Sequence, residues 1–393
     1  MSHRTVDEHA AYVHELLVLE LGNETLLLND ALGRVTASAV LSPLDLPLFR
    51  NSQMDGFAVR AADVATVPVT LPIVGEVAAR AAAPASLEAG TAVRIMTGAV
   101  VPEGADAVIP VENTTVAGGQ VTITRSREKN EYVRDRGSDV AAGDELLPAG
   151  RLLAARHLAV LAAAGIPSVT VRSQVRVAVI TTGAELREPG EDVEPGQVYD
   201  ANSTALVAAA RAVGAVVTFV RRVVDEPALL LATLGEAVSA ADLVLTSGGI
   251  SKGDYEVVRE LLEPRGARVE HLAMQPGGPQ ATAVFDGVPV ICFPGNPVST
   301  QLSFEVFVAP VLRELAGFPS KRRYEAPLSA AVTSIDGKRQ FLRGQRSSDG
   351  TVQVSSGPGS HLVAGLAAAD VLLVIPEAVT SLEPGQMVEV WEL

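Results

Sequence analysis

Between Arg172 and Leu315 short apolar runs alternate with segments of helical period, and this alternation restricts the possible fold more than any other feature of the chain. The spacing predicts strands over Val175–Thr181, Val216–Val224, Leu243–Thr246, Arg268–Leu272 and Pro289–Phe293. It predicts helices over Ser203–Val213, Ala228–Ala240, Tyr255–Leu262 and Val298–Leu315. Strands linked through helices build a doubly wound α/β domain on a mostly parallel sheet. Ligands of such sheets bind beyond the carboxyl ends of the strands, so chemistry is to be sought in the loops that follow them.

The flanking sequence has a different texture. Thr5 and Glu8 have capping-box spacing, and Val6, Ala10, Val13, Leu16 and Leu17 recur at helical intervals, which predicts a helix over Val6–Leu19. From Pro43 to Asp139, β-rich runs (Val67–Val77, Ala92–Met96, Ala107–Val111, Gln120–Thr124) separated by Gly and Pro predict a small β domain. Leu152–Ala164 reads as a helix. Paired with the first helix, it would make one discontinuous helical domain, 1–42 and 140–172, around an inserted β domain, 43–139. The α/β domain then covers 173–318, and runs such as Tyr324–Thr333 and Val371–Ile375 form a C-terminal β domain, 319–393.

Composition narrows the function classes. Hydrophobic residues make up 48% of the chain and aromatics 4%, so the cores are built from Ala, Val and Leu. No apolar run reaches the ~18 to 20 residues of a membrane helix, and the best candidate, Ser203–Val220, is broken by Arg211. Met1–Glu15 alternates charges with small residues and carries no secretory signal, so a cytoplasmic protein with no membrane partner is expected. A net charge of −15 disfavours nucleic acid, which is gripped by clustered Lys and Arg. Cys292 is alone and the 6 His lack metalloprotease spacing, which disfavours disulfides and thiolate zinc sites.

Three loops can carry chemistry. Leu243–Thr246 runs into Ser247-Gly248-Gly249-Ile250-Ser251-Lys252-Gly253-Asp254 and then a helix, a setting in which backbone approaches a ligand closely and helical N–H groups meet an anion. It has neither Walker A nor GxGxxG spacing, but Gly249–Gly253 matches GxSxG, the nucleophile elbow of α/β-hydrolases, and a plain connecting loop is a further alternative. Glu185, Asp225 and Asp254 each follow a strand at the same sheet edge; acids gathered there would repel unless a hard cation such as Mg²⁺ sat among them. The plainer alternative makes Asp225 and Asp254 helix N-caps. Phe293-Pro294-Gly295-Asn296-Pro297 forms a rigid turn that either shapes a pocket or caps the last long helix. These residues alone lead to a nucleotide or phosphate ligand with Mg²⁺ as its candidate ion.

Several segments, in order over nearly the whole chain, carry a resemblance. They are NSQMDGFAVR at Asn51–Arg60, RIMTGA at Arg94–Ala99, PEGADAV at Pro102–Val108 and RGSDV at Arg136–Val140. They continue with TTGAEL at Thr181–Leu186, SGGISKGDY at Ser247–Tyr255, FPGNPVS at Phe293–Ser299 and GSH at Gly359–His361. Together they resemble the molybdopterin molybdenumtransferases, the family that includes the E domain of gephyrin. The resemblance implies four domains, the α/β one like the molybdopterin adenylyltransferases, in a homodimer whose cleft combines the α/β domain of one subunit with the β domain of the other. It implies a reaction that takes adenylylated molybdopterin and molybdate to molybdenum cofactor and AMP, with a molybdopterin adenylyltransferase as a possible partner. By position it implies Asp55, Thr97 and Asp139 reaching the partner's site, Glu185, Asp225 and Asp254 as the acidic cluster for Mg²⁺, and Ser247, Gly248, Gly249, Ser251 and Gly253 cradling phosphate. Pro294, Gly295, Asn296 and Pro297 shape the pocket, and Arg343 and Ser360 match positions linked to molybdate.

One departure stands out. Many members carry KPGKP where this chain has Gln275-Pro276-Gly277-Gly278-Pro279, so two cations are missing. Arg343 is then expected to be the main cationic contact of the oxyanion, and Ser251 is expected not to act as a nucleophile. The missing lysines leave tungstate open as the inserted oxyanion, and a non-catalytic gephyrin-like scaffold is a third alternative.

Overall fold

The computed structural model describes residues 4–80, 83–250 and 257–393. The chain forms two units, one of Met1–Glu24, Gly33–Val35 and Arg172–Leu393, the other of Thr25–Leu32 and Thr36–Val171. No helix among the described residues is long and apolar enough to cross a membrane.

The second unit carries a six-stranded β sheet. Its sheet has the order Ala107–Pro110, Gly56–Val59, Ala92–Ile95, Val69–Val77, Gln120–Ile123, Thr114–Ala117. Alternation along Gly56–Val59 sends Phe57 and Val59 into one core and Ala58 into another, so this strand is buried on both faces. A further core, with Ala31, Leu147, Leu153, Leu161, Val169 and Val171, surrounds the helix Ala155–Ala163.

The first helix, α1 (Val6–Leu16), closes its capping box as expected but stops short of Leu19, with Leu17 at its C-cap. Val6, Val13 and Leu17 are buried in the core of the α/β sheet with Val306, Phe307 and Val308. An amphipathic helix goes where its apolar stripe finds the larger apolar face, whatever its neighbours in sequence.

The α/β sheet is built from β1 (Arg176–Thr182), β2 (Val216–Val223), β3 (Leu243–Ser247), β4 (Arg268–His271), β5 (Pro279–Phe285) and β6 (Val288–Phe293), in the order β2-β1-β3-β6-β5-β4. The first four in that order run parallel; β5 is antiparallel to both its neighbours, β6 and β4. Crossovers run through α2 (Ala201–Ala212), α3 (Pro227–Ala240) and α4 (Val257–Leu262). The last long helix is not continuous: a π-turn at Phe304–Val308 separates α5 (Pro297–Ser303) from α6 (Ala309–Leu315). Pro310 explains this, because its ring excludes the carbonyl four residues back from a regular ladder, and the N–H of Ala309 reaches Phe304 O instead.

The C-terminal sheet contains β7 (Arg323–Pro327), β8 (Arg339–Arg346), β9 (Val371–Ile375) and β10 (Met387–Glu392), with the short strand Met274–Gln275 lying parallel on the free edge of β8. The segment after β4 therefore leaves one sheet and joins another, which carries the Gln275–Pro279 loop between them.

Candidate active site

A cavity of about 990 Å³ opens beyond the carboxyl ends of β1, β3 and β6, where an open α/β sheet places its ligands. One wall is made by the loops of this sheet. Asp200 caps α2: its Oδ1 accepts from the N–H groups of Asn202 (3.1 Å) and Ser203 (3.0 Å), and its Oδ2 accepts from Thr181 Oγ1 at 2.6 Å. With α2 so fixed, the Asn202 amide donates to Ser247 Oγ (2.9 Å) and Gly295 O (2.7 Å), which joins three loops. Thr300 Oγ1 donates to Pro294 O at 2.6 Å and lies 3.1 Å from Ser247 Oγ.

The two glycine-bearing loops touch backbone to backbone. A Cβ on Gly295 would lie 3.5 Å from Gly248 Cα. Gly248 has φ +100°, and a Cβ there would lie 2.6 Å from Thr182 O, so only glycine fits. Asn202 Oδ1 and Thr182 Oγ1, on side chains that line the cavity, are buried without a hydrogen-bond partner. Buried polar groups ordinarily find partners, so an orphan acceptor in a cavity wall marks a place for a ligand donor.

Of the expected site residues, Glu185, Asp225, Ser247, Gly248, Gly249, Pro294, Gly295, Asn296, Pro297 and Ser360 all line this cavity. Ser251, Gly253 and Asp254 lie outside the described residues. Asp225 is not an N-cap: Glu226 occupies that position, and Asp225 Oδ2 accepts from Ala184 N–H at 3.2 Å, across to the loop that carries Glu185. Ser247 is almost fully buried and its hydroxyl is engaged within the wall, so it shapes the floor. Ser360 O accepts from Val298 N–H at 3.1 Å, tying its turn to the start of α5.

Arg343 departs from expectation. It is 0% exposed and does not line the cavity. Its Nε donates to Ser356 Oγ (3.1 Å) and its Nη2 to the carbonyls of Gly357 and Gly359 (3.1 Å to the latter). Burial without a carboxylate partner pulls its pKa below the usual arginine range. The strand is covered on both faces, with every residue from Gln340 to Gly344 buried, so Arg343, mid-way along β8, is enclosed whichever face it takes. It supports the cavity turn from behind.

Asp55 and Thr97 do meet, in the second unit. Asp55 Oδ1 accepts from Thr97 N–H (2.7 Å) and Oγ1–H (2.8 Å), and these bonds hold its carboxyl below the usual carboxylate range. Asp139, also exposed, is fixed through its N–H to Leu46 O at 3.0 Å.

Asn202, Thr182, Asp200, Lys338, His271 and His361 line the cavity without having been singled out from sequence. Thr182 and His361 fall within the TTGAEL and GSH segments; Asp200, Asn202, His271 and Lys338 sit at a helix start, a strand end and a strand entry with no diagnostic spacing. Among the described residues no three His, Cys, Asp or Glu side chains group to hold a metal. Glu185 and Asp225 nevertheless suit Mg²⁺, which takes one or two carboxylates together with substrate phosphates and water.

Three family profiles match in series: the MoeA N-terminal region (domain I and II) over residues 4–165, a probable molybdopterin binding domain over 178–314, and the MoeA C-terminal region (domain IV) over 325–393. The chain is 40% identical to molybdopterin molybdenumtransferase 2 of Mycobacterium tuberculosis, over 99% of this chain and 100% of that one. It is 37% identical to a molybdopterin molybdenumtransferase of Nostoc sp., over 92% and 86%. The crystal structure of a molybdopterin biosynthesis moeA protein from Pyrococcus horikoshii superposes with a TM-score of 0.83 at 33% identity, covering 99% of this chain and 98% of that one. A series of matches that spans the chain, together with a cavity walled by the same motif segments, makes this chain a member of the molybdopterin molybdenumtransferase family.

Proposed function

We propose that this protein is a cytoplasmic enzyme that inserts molybdenum into adenylylated molybdopterin, consuming molybdate and releasing AMP. The observation that carries this is the cavity itself, in which carboxylates, backbone-lined glycine loops and a rigid proline turn converge at the carboxyl edge of the sheet. The Gly248–Gly249 and Pro294–Pro297 loops bring backbone close to the substrate's phosphates, and Asn202 offers an acceptor to a heterocycle N–H or a ribose hydroxyl. Glu185 and Asp225, with Asp254, would hold Mg²⁺. When bound, the ion offsets charge that gathers on the leaving phosphate. The Asp225 contact to Ala184 N–H keeps the two carboxylate loops in register before substrate arrives.

The same proposal includes a homodimer in which Asp55, Thr97 and Asp139 complete the partner's cavity, and a molybdopterin adenylyltransferase that hands over the substrate. It is supported by the exposed Asp55, whose carboxylate is held in its ionised form by the N–H and hydroxyl of Thr97. Purified protein incubated with adenylylated molybdopterin, Mg²⁺ and either molybdate or tungstate should release AMP, with molybdate the better oxyanion. No AMP with either would reject the activity, and a preference for tungstate would reassign the oxyanion. Sedimentation should give about twice the 40.8 kDa chain mass. Mixing Asp55→Ala with Asp225→Ala subunits should restore activity through hybrid sites.

A further inference from the structure

The cavity has one acidic wall, with Glu185 and Asp225, and a cation must balance it where a tetrahedral oxyanion binds. Arg343 is absent from the cavity lining, and its Nε and Nη2 donate to Ser356, Gly357 and Gly359, while its Nη1 is buried without a partner. The Gln275 side chain accepts from the buried Gln340 amide, and Gly278 has no side chain. The space in which residue 278 could grow one is taken: a Cβ there would lie 2.9 Å from the imidazole of His271. Among the described lining residues the permanent cation that remains is Lys338.

Its placement follows from strand register. Met274 pairs with Arg339 and Gln275 with Gln340, and Arg339 N–H donates to Ala273 O at 2.9 Å. Lys338 therefore enters β8 beside the Gln275–Pro279 loop, at the seam where β8 meets the segment leaving β4. Its neighbours in sequence and charge are already spoken for. Arg339 pairs with Asp7 (2.6 Å) and Glu377 (3.1 Å), and Lys321 pairs with Glu305 (2.7 Å). No ion pair involves Lys338 among the described residues, and its side chain is half-buried at the cavity wall. In a protein of net charge −15, an ammonium held in a concave wall without a carboxylate is where anions concentrate.

We propose that Lys338 is the oxyanion-binding cation of this cavity, the residue that takes a tetrahedral dianion such as molybdate or the phosphate of the nucleotide moiety. The assignment rests on the function proposed above and adds to it the residue that holds the anion. A lysine is a point charge, so it selects for charge and size and leaves orientation to the surrounding backbone.

The test is calorimetric titration of wild type, Lys338→Gln, Lys338→Glu and Lys338→Arg, first with sodium molybdate and separately with AMP, at two salt concentrations. A charge-assisted contact contributes ~1.5 to 3 kcal/mol, so Lys338→Gln should raise the molybdate Kd roughly 10- to 150-fold. Lys338→Glu should raise it further, and Lys338→Arg should stay within about threefold, since charge is kept. Wild-type affinity should fall with salt more steeply than that of Lys338→Gln. Loss confined to AMP would keep Lys338 as an oxyanion site and assign it to the nucleotide phosphate. Unchanged affinity for both anions in Lys338→Gln and Lys338→Glu overturns the proposal. Adenylylated molybdopterin turnover by wild type is scored separately: its absence strikes the proposed function, whereas unchanged anion binding in the variants strikes Lys338 alone.

Discussion

The two walls of the cavity are made of different material. The α/β wall is backbone and short polar side chains: Gly248 against Thr182, Asn202 bridging Ser247 and Gly295, Thr300 on Pro294. The wall contributed by the C-terminal sheet and the end of β4 presents longer side chains, Lys338, His271 and His361, the last beside a turn whose Gly357 and Gly359 carbonyls accept from Arg343. The first wall recognises by shape, so its variants should fail steeply. The second recognises by charge, so its variants should fail by degrees and in proportion to salt.

The sharpest break is Gly248→Ala. The methyl would meet a backbone carbonyl at 2.6 Å on a residue with φ +100°, and neither can yield cheaply. Left-handed strain and overpacking together cost about 2 to 5 kcal/mol. AMP release should fall more than about a hundredfold, since the loops that position substrate must separate. Near-normal turnover would mean that the first wall is not shape-limited, and the contrast would collapse.

Arg343→Met comes next. The carbonyls of Gly357 and Gly359 lose a charged donor, with a cost of about 1.5 to 3 kcal/mol that is partly offset because an unpaired buried charge is also removed. Turnover should drop about tenfold, and amide exchange should rise in residues 356–361, while molybdate Kd moves less than in Lys338→Gln. If Arg343→Met weakened molybdate more than Lys338→Gln did, the anion contact would belong to Arg343 after all.

Gly278→Lys tests the same wall from the other side. Placing a lysine at this position requires the His271 ring to move, because Cβ would lie 2.9 Å from it. Molybdate Kd should improve less than about tenfold, and the melting temperature should fall by a few degrees, as overpacking costs about 1 to 3 kcal/mol. A large gain in affinity at unchanged stability would say that the imidazole yields freely.

What sequence revealed of these walls follows from how each is built. The parallel strands and their helices were legible because buried strands read as apolar runs and helices keep their period, as in Val177–Ile180 and Leu230–Ala237. The loops of the first wall were legible because glycine and proline are needed at fixed places there. The antiparallel strand Pro279–Phe285 was not assigned, although Asp286-Gly287, with φ 47° and 83°, is the hairpin signal that joins it to β6. The second wall was harder, because its composition depends on long-range register. No local pattern tells that Arg343 is enclosed while Lys338, outside the strand proper, borders the cavity. The docking of α1 was lost for the same reason, since an apolar stripe does not name its partner.

The smallest expected effect concerns the seam behind the second wall, where His9 of α1 meets β4. His9 is 1% exposed, its Nδ1 lies 3.2 Å from Glu270 Oε2, and its ring packs edge-on against Phe307 at 4.7 Å. Burial outweighs the nearby Glu270 carboxylate and takes its pKa from 6.5 down to about 4, with Arg4 acting in the same direction as burial. His9 is therefore neutral in the fold. Below pH 6.5 the unfolded chain takes up a proton that the folded chain refuses, so the stability due to this site is complete above that value and is lost as pH falls toward 4. Urea unfolding at a series of pH values from 7.5 to 4.5 should give a steeper loss for wild type than for His9→Phe, which keeps the contact to Phe307 and cannot titrate. The difference should reach about 2 kcal/mol, since each pKa unit is ~1.4 kcal/mol. Equal slopes would remove His9 as the titrating group. The same variant sharpens the contrast between the walls, because Glu270 precedes the cavity residue His271 on β4. Anion affinity at pH 7.5 should be unaffected if the charged wall is held by its own register with β8, and a shift of more than about threefold would mean that α1 helps to hold it in place.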